Sequence, residues 1–193
     1  MRLTPSKVLP LILAAGLALA QGQDKAPSFF ERILEEAGMS FTLPQGYREA
    51  PVIPNPVLVY HHRVENPQKG VEIRYLIAPI GRIEIDYDDP HASAPEPNHI
   101  FSLLFPGILT QISIDGRYSE KEYPGLEALR LFGADWAAVG TLTPNPEFAP
   151  YAHCVVVAMH KNDRADAFEF FLANDLETLK KEVIAHQAAL RFR

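Results

Sequence analysis

One cysteine, Cys154, in a chain of 193 residues excludes an intramolecular disulfide, so the fold must be held by packing alone. Basic residues are also scarce: 18 Lys and Arg stand against 24 Asp and Glu, a formal net charge of −6. No run of Lys or Arg offsets that balance, and such a surface repels phosphate backbones and anionic membranes, which argues against nucleic acid as a partner. The motifs of nucleophilic and metal-assisted hydrolysis are missing as well. The chain has no G-x-S-x-G, no S-x-x-K, no H-E-x-x-H and no glycine-rich phosphate loop, and no cofactor is implied. Val8 to Leu19, a run of twelve uncharged residues broken by Pro10 and Gly16, falls short of the roughly 20 apolar residues that a membrane helix needs.

That run has a different reading. Arg2 and Lys7 precede it as a positive region, and Ala18-Leu19-Ala20 follows with the small residues a signal peptidase requires. Residues 1–20 are therefore expected to be a secretory signal peptide, which places the working protein in the periplasm or outside the cell. Cleavage would leave 173 residues, enough for one domain. It would also remove two cations, so that 16 basic residues face 24 acidic ones and the charge becomes −8. The absence of cysteine near residue 21 excludes a lipid anchor of the bacterial type, and no membrane insertion is expected after cleavage. Cys154, in the run His153 to Val157, reads as a buried small hydrophobe.

Residues 21–27 read as a flexible leader, and one domain is expected over 28–193. Ser28 and Glu31 form a capping-box pattern before Phe30, Ile33, Leu34 and Ala37, which predicts a helix over Phe29–Ala37 ended by Gly38. Ser40–Leu43 reads as a short strand. Val57–Val64 and Val71–Pro79 predict a hairpin across the turn formers of residues 65–70. In its second strand Val71, Ile73, Tyr75 and Ile77 share the buried face, with Glu72 and Arg74 expected on a wet one. Ile83–Tyr87 alternates like one more short strand. Asn98 opens an apolar segment with Phe101, Leu104, Phe105, Ile108 and Ile112 on one helical face. Pro106 inside it predicts a kink or two short helices, with an end at Asp115-Gly116. A short helix is suggested over Leu126–Leu131. Strands follow at Trp136–Leu142, Ala152–His160 and Ala167–Ala173, the last two as a hairpin. A final helix starts after Asp175, with Leu176, Leu179, Val183 and Leu190 on its inner side and Glu177 paired with Lys181 outside. This order predicts an α+β fold, an antiparallel sheet packed by helices.

The run Gly38-Met39-Ser40-Phe41-Thr42-Leu43-Pro44-Gln45-Gly46-Tyr47 resembles the opening of PsbP-like proteins and their bacterial extracytoplasmic relatives. An early hairpin, a central helix, further strands and a C-terminal helix continue the resemblance over about residues 38–193. It implies an α-β-α sandwich and an accessory or binding role rather than an enzymatic one, with some members linked to metal ions. Phe132-Gly133-Ala134-Asp135-Trp136 is distinctive but suggests no role.

Three candidate sites follow from the residues. The acidic stretch with Asp86, Asp88, Asp89 and His91, joined by His99 and flanked by Glu84, offers oxygen donors for a hard cation and imidazoles for a softer one. Its spacing matches no metal loop, so a solvated acidic loop is the competing reading. The histidines are second: His61 and His62, adjacent on a strand, point to opposite faces, as do His153 and His160, so neither pair chelates from one strand. Of the first two, one is expected in solvent. The late hairpin offers no evident acid–base pair. Third, the apolar element from Ile100 to Ile112, with Trp136, could wall a ligand pocket, although such elements more often simply cover a sheet. The expected function is a non-catalytic binding or accessory protein for an unidentified protein or small-molecule partner. The alternatives are a small α+β enzyme with a pocket between helix and sheet, or a divalent-metal protein using the acidic loop. A deep pocket with convergent polar side chains would favour the enzyme, and a shallow apolar patch the partner.

Overall fold

The computed structural model describes residues 26–81 and 97–193. Segments 1–25 and 82–96, and with them the expected signal peptide, the expected short strand at Ile83–Tyr87 and most of the acidic stretch, lie outside the described residues. Helix α1 (Phe29–Glu36) starts as its sequence requires. The Glu31 N–H donates to Ser28 Oγ at 3.2 Å while Glu31 Oε2 accepts the Ser28 N–H at 2.6 Å, so two otherwise orphaned donors are satisfied reciprocally.

Strands β1 (Met39–Phe41), β2 (Arg48–Glu49), β3 (His62–Asn66) and β4 (Val71–Pro79) follow, then helix α2 (Pro97–Ile112), strand β5 (Ser113–Glu122) and helix α3 (Gly125–Phe132). Strands β6 (Trp136–Pro144), β7 (His153–Lys161) and β8 (Ala165–Ala173), helix α4 (Leu176–His186) and strand β9 (Leu190–Phe192) complete the chain. The main sheet is antiparallel, in the order β2-β3-β4-β8-β7-β6-β5, and β1 pairs separately with β9. The fold is α+β, with a buried apolar layer on each side of the sheet. One layer gathers residues of α1, α3 and α4 over Ile73, Tyr75, Val157 and Phe171. The other sets α2 on Val156, Ala158, Phe168 and Phe170.

Four expectations are corrected by packing. The apolar segment is one helix with Pro106 inside it rather than two. Phe101, Phe105, Ile108, Leu109 and Ile112 are all buried by it, and burying large apolar side chains at about 1.5–3 kcal/mol each outweighs the ~3 kcal/mol that an internal proline costs. That helix passes directly into β5 at Ser113 instead of ending at Asp115-Gly116. Strand β5 itself escapes a pattern search because it is the sheet edge. It is almost wholly exposed, carries Asp115, Arg117, Glu120, Lys121 and Glu122, and breaks register between Ser113 and Tyr118, features that keep an open edge from pairing with other chains. Finally, Glu72 and Arg74 are not wet: they are 3% and 5% exposed, under the loop that carries Phe148 and Tyr151.

Smaller differences are local. Strand β3 begins at His62 rather than Val57, after a proline-rich approach. Leu190 belongs to β9 and Leu176 is 39% exposed, so neither lies on the inner side of α4. Glu177 pairs with Lys180 at 2.8 Å, one residue short of the expected Lys181.

Two glycines set how closely the layers approach. Gly133 ends α3 at φ +64°, where L side chains are strained, and a Cβ there would meet the Phe192 carbonyl oxygen of β9 at 2.7 Å. Gly140, on β6, leaves room for the Leu109 methyls, which a Cβ would meet at 2.7 and 2.9 Å. Gly133→Ala therefore combines a strained backbone with an immovable backbone neighbour, whereas Gly140→Ala asks only that a packed leucine shift. Both variants are expected to lose stability, by about 1–3 kcal/mol for Gly140→Ala, with the larger loss at Gly133, as read from urea unfolding midpoints.

Candidate functional site

The hairpin of β7 and β8 turns at residues 162–164, where Asp163 takes φ 57° and the Arg164 N–H donates to the Lys161 carbonyl at 3.1 Å. This turn fixes the register that sets His160 opposite Asp166. Their side chains meet, His160 Nδ1 to Asp166 Oδ1, at 2.6 Å, and both residues are 5% exposed. On the other side of the ring, Nε2 lies 3.1 Å from Asn162 Oδ1. Both ring nitrogens therefore face acceptors, the arrangement of an imidazolium. Burial alone would lower the His160 pKa, but hydrogen bonds to Asp166 and Asn162, with the charges of Asp166 and Asp135, outweigh it and raise it. A raised folded value means that the pair stabilises the fold fully below the ordinary histidine range. That stabilisation is lost as pH rises through the folded value.

The run Phe132 to Trp136 acquires a role here. Asp135 Oδ2 accepts the Asn162 N–H at 3.0 Å, the Asp135 N–H donates to the His160 carbonyl at 2.9 Å, and Lys161 Nζ reaches the Gly133 carbonyl at 2.6 Å. The segment between α3 and β6 thus pins the β7–β8 turn. The next residue, Trp136, meets Phe101 of α2 edge to face at 4.5 Å. The Phe101 ring also lies 5.1 Å from the His160 ring. Aromatic pairs in such geometries add about 0.5–1.5 kcal/mol each beyond their buried area.

Between the first half of α2 and the β5–β6 edge these groups leave a cleft of about 440 Å³. Phe101, Phe105, Trp136 and Ala138 form its apolar floor, while Asn98, His99, Glu120, Lys121, Glu122, Asp135, His160 and Asn162 supply polar lining. The volume lies within the usual range for small-molecule sites, as does the combination of an apolar body with a few polar groups.

Of the residues singled out from the sequence as metal ligands, only His99 can be placed. It is exposed on the first turns of α2 and lines the cleft. Asp86, Asp88, Asp89 and His91 lie outside the described residues, and among the described residues no three His, Cys, Asp or Glu side chains come together as a metal site. His61 and His62 are both half-buried, so neither faces open solvent. The His62 ring stacks on Phe30 at 4.1 Å, and His61 Nδ1 accepts the Ile77 N–H at 3.2 Å. Cys154 is 1% exposed, and burial pushes its thiol far up, against thiolate chemistry. Among the described residues no helix is long and apolar enough to cross a membrane.

The expectation that the late hairpin lacks an acid–base pair is overturned by His160 and Asp166. A second strand that starts at Ala167, as the sequence suggests, leaves Asp166 in the turn. Extending both strands to the turn centred on Asn162 and Asp163 brings the two residues opposite one another.

The fold and cleft define the class: an α-β-α protein with an aromatic-floored cleft between its central helix and its sheet edge. No protein-family model matches the sequence, and no curated protein matches it. The solution structure of cyanobacterial PsbP from Synechocystis sp. PCC 6803 is similar in fold over 81% of this chain and 88% of that one, with a TM-score of 0.41 and 11% identity.

Proposed function

We propose that this chain is an extracytoplasmic, non-catalytic binding protein whose ligand is a small molecule held in the cleft between α2 and the β5–β6 edge. The observation that carries this reading is the cleft itself: Phe101, Phe105 and Trp136 present apolar surface beside a polar rim, in a volume suited to one small ligand. The polar groups nearest the floor support binding over chemistry, because both ring nitrogens of His160 are held by Asp166 and Asn162. A general base needs a nitrogen free to reach its substrate. The export pattern of residues 1–20 supports the extracytoplasmic address.

The test is native mass spectrometry of the protein isolated from its own cell envelope. A bound small molecule released on unfolding is expected. Ser102 is exposed on α2 and lines the cleft, so Ser102→Phe should fill the space and yield an empty protein of unchanged stability. Recovery of the same mass from Ser102→Phe would place the ligand elsewhere, and recovery of none from the parent would count against the reading.

The enzyme alternative draws on one observation, the buried His160–Asp166 pair at the end of the cleft. It requires Asn162 to yield its place at Nε2 to a substrate. If so, Asn162→Ala would raise turnover, whereas the binding reading expects Asn162→Ala only to loosen the β7–β8 turn.

A further inference from the structure

The charged groups around the cleft are unevenly placed. Glu120 and Glu122 stand opposite Gly140 and Ala138 in the sheet, so strand alternation turns both toward the face that α2 covers. Asp135 adds a third carboxylate, engaged with the backbone N–H of Asn162. Among the described residues no ion pair involves Glu120, Glu122 or Asp135. Two cationic groups lie close by. Lys121 also lines the cleft, but its strand position alternates the other way, paired with Val139, whose side chain packs on the opposite layer. The His160 ring is matched by Asp166.

Resting on the reading that this cleft binds a small molecule, we infer that its ligand is an organic cation: an amine or quaternary ammonium group joined to an apolar or aromatic body. The body would lie on Phe101 and Phe105. The cationic end would sit between the face of Trp136 and the carboxylates of Glu120 and Glu122. Tryptophan is the strongest of the aromatic partners for a cation, and a desolvated contact adds to the carboxylate attraction. An anionic ligand of the same shape would meet three carboxylates on the rim. A neutral one would gain the floor alone.

The chain has one tryptophan, and it lies in this cleft, so intrinsic fluorescence reads the site directly. The protein spanning residues 21–193 would be titrated with benzyltrimethylammonium, benzyl alcohol and phenylacetate, which share a ring and differ in charge. Saturable quenching is expected from the ammonium compound, with a midpoint roughly tenfold below that of benzyl alcohol and weaker binding still for phenylacetate. In Glu120→Gln/Glu122→Gln, both positions being exposed on an edge strand, the ammonium preference should disappear while benzyl alcohol binds as before. Equal midpoints for the three compounds, or a preference that survives the double substitution, would overturn the cation inference and leave the cleft as a binding site. No saturable change with any compound would overturn the inference together with the small-molecule reading.

Discussion

Glu72→Ala is expected to lower the unfolding free energy by about 3–5 kcal/mol, because it strands the buried Arg74 guanidinium and leaves Arg63 with Glu65 as its one carboxylate partner. Glu72 is 3% exposed. Its Oε2 accepts from Arg63 Nη2 at 2.7 Å and its Oε1 from Arg74 Nε at 2.6 Å, with the Tyr151 hydroxyl donating at 3.2 Å. Arg74 in turn donates to the Phe148 carbonyl at 2.6 Å and lies over the rings of Tyr60 and Phe148 at 4.8 and 5.0 Å. Removing the carboxylate alone leaves Arg74 without a counter-charge, while Arg63 keeps Glu65 at 3.1 Å. Replacing the pair by apolar residues of similar length, Glu72→Met/Arg74→Met, should cost less than the single change, and urea unfolding of the three proteins checks the ordering. Burial by itself would raise the Glu72 pKa, but the hydrogen bonds and charges of Arg63 and Arg74 hold it below the ordinary carboxyl value of 4.5. A depressed folded value means that this stabilisation is complete above that ordinary value and is lost as pH falls through the folded one. The parent should therefore show an acid-side loss of stability that Glu72→Gln lacks.

Glu169→Met is expected to act in the opposite direction and stabilise the fold at neutral pH by about 1–4 kcal/mol. Glu169 is fully buried on β8, opposite Tyr75 of β4 and Val157 of β7. Neither carboxyl oxygen has a hydrogen-bond partner of good geometry, and the Tyr75 hydroxyl is similarly unpaired. Burial pushes the Glu169 carboxyl well above its ordinary value, with the Leu190 N–H opposing only in part. Because the folded value exceeds the unfolded one, the group costs least in acid, where it is protonated in both states. Stability is then lost as pH rises from the ordinary carboxyl value of 4.5 toward the folded one. Methionine, similar in length and uncharged, removes that slope as well as the desolvation cost. A Glu169→Met protein less stable than its parent at neutral pH would show that the carboxyl has a role this packing does not account for. Glu72 and Glu169 together place the stability maximum on the mildly acidic side, since one is lost below it and the other erodes it above.

Local rules made much of this fold legible. The capping box at Ser28 and Glu31, the alternation from Val71 to Ile77 and the apolar runs of β7 and β8 each reflect forces acting within a few residues. What escaped depends on tertiary neighbours. Glu72 and Arg74 look like wet residues because nothing in their own strand shows that a loop more than 70 positions away will cover them. Strand β5 looks like a loop because an edge position asks for charge rather than alternation. The cleft was half legible. The sequence pattern joins the apolar element from Ile100 to Ile112 with Trp136 as a possible wall, but offers His99 only as a metal ligand. His160, Asp166, Asn162 and Asp135 come together only through the register of a hairpin whose turn is tighter than its sequence suggests.

The most direct test of the cleft as the functional centre is a two-dimensional NMR spectrum of the isotope-labelled protein, recorded while the small-molecule fraction of the cells that make it is added. The single indole N–H signal, from Trp136, should shift and saturate together with signals of Phe101 and His160, while Tyr151 and Cys154 stay in place. Shifts centred on Tyr151, or an indole signal that never moves while others do, would contradict the account and place the binding surface elsewhere on the sandwich.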